Sequence, residues 1–216
     1  MPIYFVLVPL AALLVLNLPM GSLGRKASFP AAVALAAAQT LIVLLVPASS
    51  FSGPSTLFGA VSFSFAADRL SLLLLLTIGI VSLASLGVGY GTIAKGEEMR
   101  RYSCLLILAI TGMNGIVLVT DLFSLYVFLE IVAVSSYILI ASRRERDGLE
   151  GAFKYLVLSV VASLMMLGSI ALFLLTAGGT SFATVAAAIS AGGRSWQSLL
   201  GCVLFAGGLC IKAGLV

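Results

Sequence analysis

The chain has 216 residues, 61% of them hydrophobic and only 9% charged, and its mean hydropathy is +1.21. That balance excludes an ordinary soluble domain and fits an all-α polytopic membrane protein. Its 12 bases and 8 acids are too few and too scattered for a nucleic-acid footprint, and the lack of histidine rules out histidine-held haem and disfavours a histidine-bound metal centre.

Crossing a hydrocarbon core takes roughly 20 helical residues. Seven apolar segments approach that length, over 2–19, 30–46, 70–90, 102–120, 122–141, 152–176 and 198–216. The first carries no bases ahead of its apolar run; Arg25 and Lys26 follow it, so it reads as an uncleaved helix with its amino end outside. Between the second and third segments, "PASSFSGPSTLFGAVSFSFAADRLS" is rich in Pro, Gly and Ser and then alternates in "AVSFSF", which predicts an ordered outside loop with a small hairpin. Lys95, Arg100 and Arg101 follow the third segment and Arg143, Arg144 and Arg146 the fifth, whereas the opposite loops hold only Arg69 and Arg194. The positive-inside rule places the loops after segments one, three and five in the cytoplasm. Before the last segment, "TSFATVAAAISAGGRSW" predicts a short amphipathic helix lying along the interface. Cys104, Cys202 and Cys210 lie singly in apolar runs and read as small buried side chains. No Walker, Rossmann or zinc motif is visible, so the chemistry rests on a few charges inside apolar segments.

"LFSLYVFLEIVAVSSYILIA", residues 122–141, holds one charge, Glu130. It lies about 13 Å along a helix from Asp121, close to the bilayer midplane. An ionised side chain there costs roughly 2.5–3.5 kcal/mol, so it must face protein or water and have a partner. Tyr126, Ala133 and Tyr137 share its face, and the two phenols could orient the carboxyl or hold water. A protonated Glu130 acting as an interhelical hydrogen-bond anchor is the alternative. Asp121 reads as an N-cap. Lys154, in "GAFKYLVLS", is either a snorkelling side chain at the cytoplasmic start of its helix or an internal charge. Lys212, in "GGLCIKAGLV", is about 24 Å along a straight helix from Trp196. Gly207, Gly208 and Gly214 around it permit a broken helix, the device that exposes backbone at midmembrane ion sites.

"TGMNGIVLVTDLFSLYVFLEIVAVSSYILIA", followed by "GAFKYLVLS" and "IKAGLV", resembles the antiporter-type membrane subunits of respiratory complex I, Mrp cation/proton antiporters and energy-converting membrane hydrogenases. The likeness runs from "ADRLSLLLLL" to the end of the chain. By that resemblance Glu130 corresponds to the family's fifth-helix glutamate, Lys154 to its sixth-helix lysine and Lys212 to the lysine of its broken seventh helix. The family fold has about fourteen helices with two inverted five-helix units. The present chain, with about seven, resembles the N-terminal half: residues 1–101 hold three helices and the outside loop 47–69, and residues 102–216 the first antiporter-like unit. In the family "KAGLV" continues into a Pro- and His-containing stretch and a second inverted unit, so the expectation is a truncated or split form.

The resemblance implies a proton-translocating membrane subunit of a redox-driven complex, either a complex I-type NADH-quinone oxidoreductase or a membrane-bound hydrogenase. Glu130, Lys212 and Lys154 would form a buried relay, supported by Tyr126 and Tyr137. It implies no cofactor or metal in this chain, other membrane subunits and hydrophilic redox subunits as partners, protons or else sodium as the coupling ion, and a multi-pass position in the cell (inner) membrane. A Mrp-type cation/proton antiporter subunit and a non-conducting scaffold or fragment are the alternatives.

Overall fold

The structure, a computed structural model, describes residues 2–18, 21–46, 55–57, 63–93, 96–142, 145–191 and 196–215. Its elements in chain order are α1 (Tyr4–Asn17), α2 (Gly21–Leu45), β1 (Ser55–Leu57), β2 (Phe63–Phe65), α3 (Arg69–Thr92), α4 (Glu97–Leu118), α5 (Leu122–Ala141), α6 (Arg146–Ala177), α7 (Phe182–Ala191) and α8 (Trp196–Lys212). The seven apolar segments are α1 to α6 and α8, and α7 is the short helix expected before the last of them. By length and composition α2 to α6 can each cross a membrane, while α1 and α8 are shorter apolar helices. Leu14, Leu45, Val88, Leu164 and Leu175 are exposed on these helices, as lipid-facing side chains are. Helices α2, α4 and α6 begin well ahead of their apolar runs, because hydropathy marks only the oily length of a helix. Of the bases used for orientation, Lys95, Arg143, Arg144 and Arg194 lie outside the described residues, as do 47–54 and 58–62 of the outside loop.

Two compact units divide the chain, Met1–Val119 and Thr120–Val216. In the first, Leu16, Ala32, Ala36, Leu86, Leu106, Ile107 and Ile110 form the buried core of α1 to α4. A polar knot crosses it. The Gln39 amide donates to the Leu75 carbonyl and to Asn114 Oδ1, both at 3.0 Å. Asn114 returns a hydrogen bond to Gln39 Oε1 at 2.8 Å and donates to the Phe5 carbonyl at 2.9 Å. Phe5 lies one turn before Pro9 of α1, and a proline has no N–H to give that carbonyl. The knot thereby ties all four helices, and a buried amide left without its partner costs about 1–3 kcal/mol. Asp68 caps α3 by accepting from the Ser71 N–H and hydroxyl, each at 2.7 Å. The backbone bond first and the hydroxyl second hold its carboxyl below the usual carboxylate range. The expected hairpin is present: β1 and β2 pair antiparallel with Ser55 opposite Phe65, and the Ala66 N–H bonds the Leu118 carbonyl at 2.8 Å, fixing the hairpin to the end of α4.

In the second unit an isolated antiparallel bridge pairs Asp121 with Ser181 and joins the starts of α5 and α7. Its bonds are Leu122 N–H to the Thr180 carbonyl, 2.9 Å, and Phe182 N–H to the Thr120 carbonyl, 3.1 Å. Asp121, 8% exposed, caps α5 through Oδ1 accepting from the Ser124 N–H at 2.8 Å. Leu122, Ile170, Phe173 and Val185 form the core. Helices α6 and α8 pack closely through small residues: the Ser169 hydroxyl donates to the Gly201 carbonyl at 2.7 Å, and Gly208 lies directly against α6. Helix α8 stops at Lys212 in a Schellman turn, with Gly214 at φ 72°, its N–H bonded to Ile211 and that of Leu215 to Cys210, both at 3.0 Å. One expectation fails here: Cys210 is exposed and Cys104 and Cys202 only half-buried. In an oily helix the lipid-facing and protein-facing positions are equally apolar, so an apolar neighbourhood does not predict burial.

Candidate functional site

Helices α5, α6 and α8 bring one acid, one base and two hydroxyls together. Glu130, midway along α5, holds its Oε1 at 2.5 Å from Lys212 Nζ at the end of α8. The lysine side chain is 7% exposed and the glutamate 30%. Ser163 Oγ donates to the same Oε1 and also lies 2.7 Å from the Ser159 carbonyl. Lys212 Nζ donates to Ser159 Oγ at 3.3 Å.

The sequence builds this cluster by simple means. On α6 the buried positions Ala152, Ser159, Ala162, Ser163, Met166, Ser169, Ile170 and Phe173 form one helical stripe, small at its start and large at its end. The small end leaves room for Glu130 and Lys212. The Schellman stop puts the ammonium at the carboxyl end of α8, where the helix dipole favours a cation by about 0.3–1 kcal/mol. Two charges at roughly 2.5–3.5 kcal/mol each are about matched by their pair attraction, roughly 6–7 kcal/mol at 2.5 Å and an effective dielectric of about 20. The hydroxyl bonds add about 1.5–3 kcal/mol each, because one partner is charged. The serines are thus part of what makes the buried pair tolerable.

Tyr126 packs at the edge of the Leu122–Phe173 core, its ring centroid 6.4 Å from that of Phe123, and Tyr137 is half-buried farther along α5. Among the described residues the Glu130 carboxyl bonds Lys212 and Ser163, and neither phenol. Lys154 is placed elsewhere: it pairs with Glu150 at 2.6 Å on its own helix, and both side chains are exposed. Sequence reasoning missed Ser159 and Ser163. The available signal was "SVVAS", two hydroxyls one turn apart in an apolar helix, since such groups turn toward neighbouring helices in a membrane.

Residues 119–216 match the family described as "NADH:quinone oxidoreductase/Mrp antiporter, TM". The chain is 34% identical over 140 residues to NADH-quinone oxidoreductase subunit N 1 of Rhizobium meliloti (strain 1021), covering 64% of this chain and 29% of that protein. It is 32% identical over 170 residues to the putative antiporter subunit mnhD2 of Staphylococcus aureus (strain JH9), covering 77% of this chain and 33% of that one. Its fold matches a chain of the Mrp complex from Dietzia sp. DQ12-45-1b with a TM-score of 0.82 at 24% identity, over 98% of this chain and 40% of the other. The chain thus spans about a third of the length of the relatives it matches. Glu130, Ser159, Ser163 and Lys212 all fall inside the matched span. Residues 119–216 thus carry the likeness of this chain to the membrane family shared by NADH:quinone oxidoreductases and Mrp antiporters.

Proposed function

We propose that this chain is a proton-translocating part of a redox-driven membrane complex, of the complex I or membrane-bound hydrogenase type. The observation that carries this reading is the Glu130–Lys212 ion pair among apolar helices. A charged pair in a low-dielectric site attracts strongly, whereas the neutral acid and amine do not. Moving one proton from Nζ to the carboxylate therefore releases the two side chains, and recharging them draws them together again. A proton is held or passed on according to whether the partner is near. Lys154, held by Glu150, is a station on α6 in this scheme. Other membrane subunits and hydrophilic redox subunits supply the driving change, and this chain itself carries no cofactor. Glu130→Gln in the complete subunit, assembled in its complex and reconstituted in proteoliposomes, is expected to reduce the number of protons moved per electron strongly while assembly persists. An unchanged ratio rejects the relay.

A Mrp-type cation/proton antiporter is the second reading, favoured by the 32% identity to the mnhD2 subunit over 77% of this chain. Sodium-dependent proton exchange without an electron donor supports that reading against the first. In both, the chain resides in the cell's inner membrane with its amino end outside, on the distribution of Lys and Arg. With the three native cysteines replaced by serine, Asp147→Cys is expected to react with an impermeant thiol reagent only in inverted vesicles, and Ala183→Cys in intact cells. Reaction of Asp147→Cys in intact cells overturns the orientation.

A further inference from the structure

We propose that Ser163, assisted by Ser159, is a positioning residue that holds the Glu130 carboxyl in both of its protonation states by redirecting one hydroxyl proton. The proposal rests on the relay reading above. Its basis is a count of protons: Ser163 Oγ has two acceptors within reach, Glu130 Oε1 and the Ser159 carbonyl, and a serine has one proton to give. At any moment it serves one of them.

Charge decides which. A carboxylate is the stronger acceptor, so while Glu130 is ionised and bonded to Lys212 the Ser163 proton points to Oε1. When a proton passes from Lys212 Nζ to the carboxylate, the nitrogen keeps its electron pair and the carboxyl becomes a donor. Ser163 Oγ then accepts from the carboxyl, and its own proton turns to the Ser159 carbonyl one helical turn back. Within Ser163 only a hydrogen moves, by rotation about the Cβ–Oγ bond. On the other side Ser159 Oγ accepts from the ammonium at 3.3 Å and has a proton of its own to offer the neutral amine. Each end of the ion pair therefore faces a group that is both donor and acceptor, which suits it to the charged and the neutral pair alike. Both serines are buried. Back-bonding to the carbonyl one turn earlier is common here, as in Thr111 to Ile107 and Thr176 to Leu172, but those hydroxyls serve only their own helix. Ser163 adds a titrating partner from α5.

The test uses the complete subunit in its membrane complex, with Ser163→Ala, Ser163→Thr and Ser163→Val. Threonine and valine share a shape but only threonine keeps the hydroxyl. Alanine and valine are expected to lose transport by roughly tenfold or more, the loss of a hydrogen bond to a charged group, and threonine to keep it within about twofold. In infrared difference spectra the carboxyl C=O band, assigned by its loss in Glu130→Gln, is expected to rise in frequency in Ser163→Ala and stay in place in Ser163→Thr. Equal losses in threonine and valine overturn the proposal in favour of a space-filling role, and so does a Ser163→Ala variant with wild-type rate and an unmoved band. If threonine prevents assembly, the Ser163→Ala band alone decides. Transport that survives Glu130→Gln brings down the relay itself, whereas transport abolished by Glu130→Gln but untouched in rate and band by Ser163→Ala brings down only the role of Ser163.

Discussion

Lys212→Met and Glu130→Gln are each expected to lower proton translocation by about a hundredfold or more in the assembled complex, and the double substitution to be scarcely worse than either. Removing one member of a buried pair leaves the other uncompensated, at about 3–5 kcal/mol, and each 1.4 kcal/mol is about a factor of ten. Residues that act as one unit fail as one unit, so the losses do not multiply. Lys154→Ala discriminates the two readings of that residue: a loss as severe as these marks a relay station, and a milder one marks a side chain that only snorkels beside Glu150. The measurement is a double-mutant cycle on translocation rate, with assembly followed on native gels. Multiplicative losses at positions 130 and 212 argue against a functional pair and put the scaffold reading ahead.

Gly208→Ala is expected to be comparably damaging although it removes no charge. A Cβ there would lie 2.6 Å from Met166 Cγ and 2.9 Å from the Ala162 carbonyl oxygen. Backbone cannot yield as a side-chain tip does, so α8 must move away from α6, at a cost of about 1–3 kcal/mol. Lys212 lies one turn beyond Gly208 and moves with it, which stretches the contacts to Glu130 and Ser159 together. Gly207→Ala is the built-in control: its Cβ would meet only Met165, the nearest atom being the mobile Cε at 2.6 Å. Thermal unfolding in detergent and translocation rate should both separate the two variants. Equal behaviour, or a Gly208→Ala protein that keeps wild-type rate and stability, refutes the claim that α6–α8 spacing sets the site.

Much of the helical order was legible because a membrane imposes a length on oily segments, and all seven segments correspond to helices. The hairpin and α7 were legible from alternation and from turn residues. Helix starts were not: α6 begins at Arg146, inside a charged stretch that hydropathy ignores. The association of Glu130 with Lys212 came from the family resemblance and from the rule that a midmembrane charge needs a partner, and the structure places the two in contact. The third and fourth members of the cluster were hidden in the commonest small polar residue of apolar helices. A serine that bonds its own backbone and one that also reaches a carboxylate read identically in one dimension, and only the approach of α5 to α6 tells them apart.

The knot of Gln39 and Asn114 bears on how such a bundle tolerates change. Greasy surfaces set how near helices lie but not how each is turned about its own axis, since lipid and side chain are equally good neighbours for them. In α1 to α4 that angular setting is specified by two amides and by a carbonyl that Pro9 leaves open to a neighbour. The proline works as a keyway cut into α1, and Asn114 is the key. Substitutions that keep the hydropathy profile but replace the proline or either amide leave the helices as oily as before and remove the information that fixes their azimuth. Drift that is neutral in hydropathy is therefore not neutral in structure at these three positions, and neighbouring apolar residues are free to vary only while those three stay put.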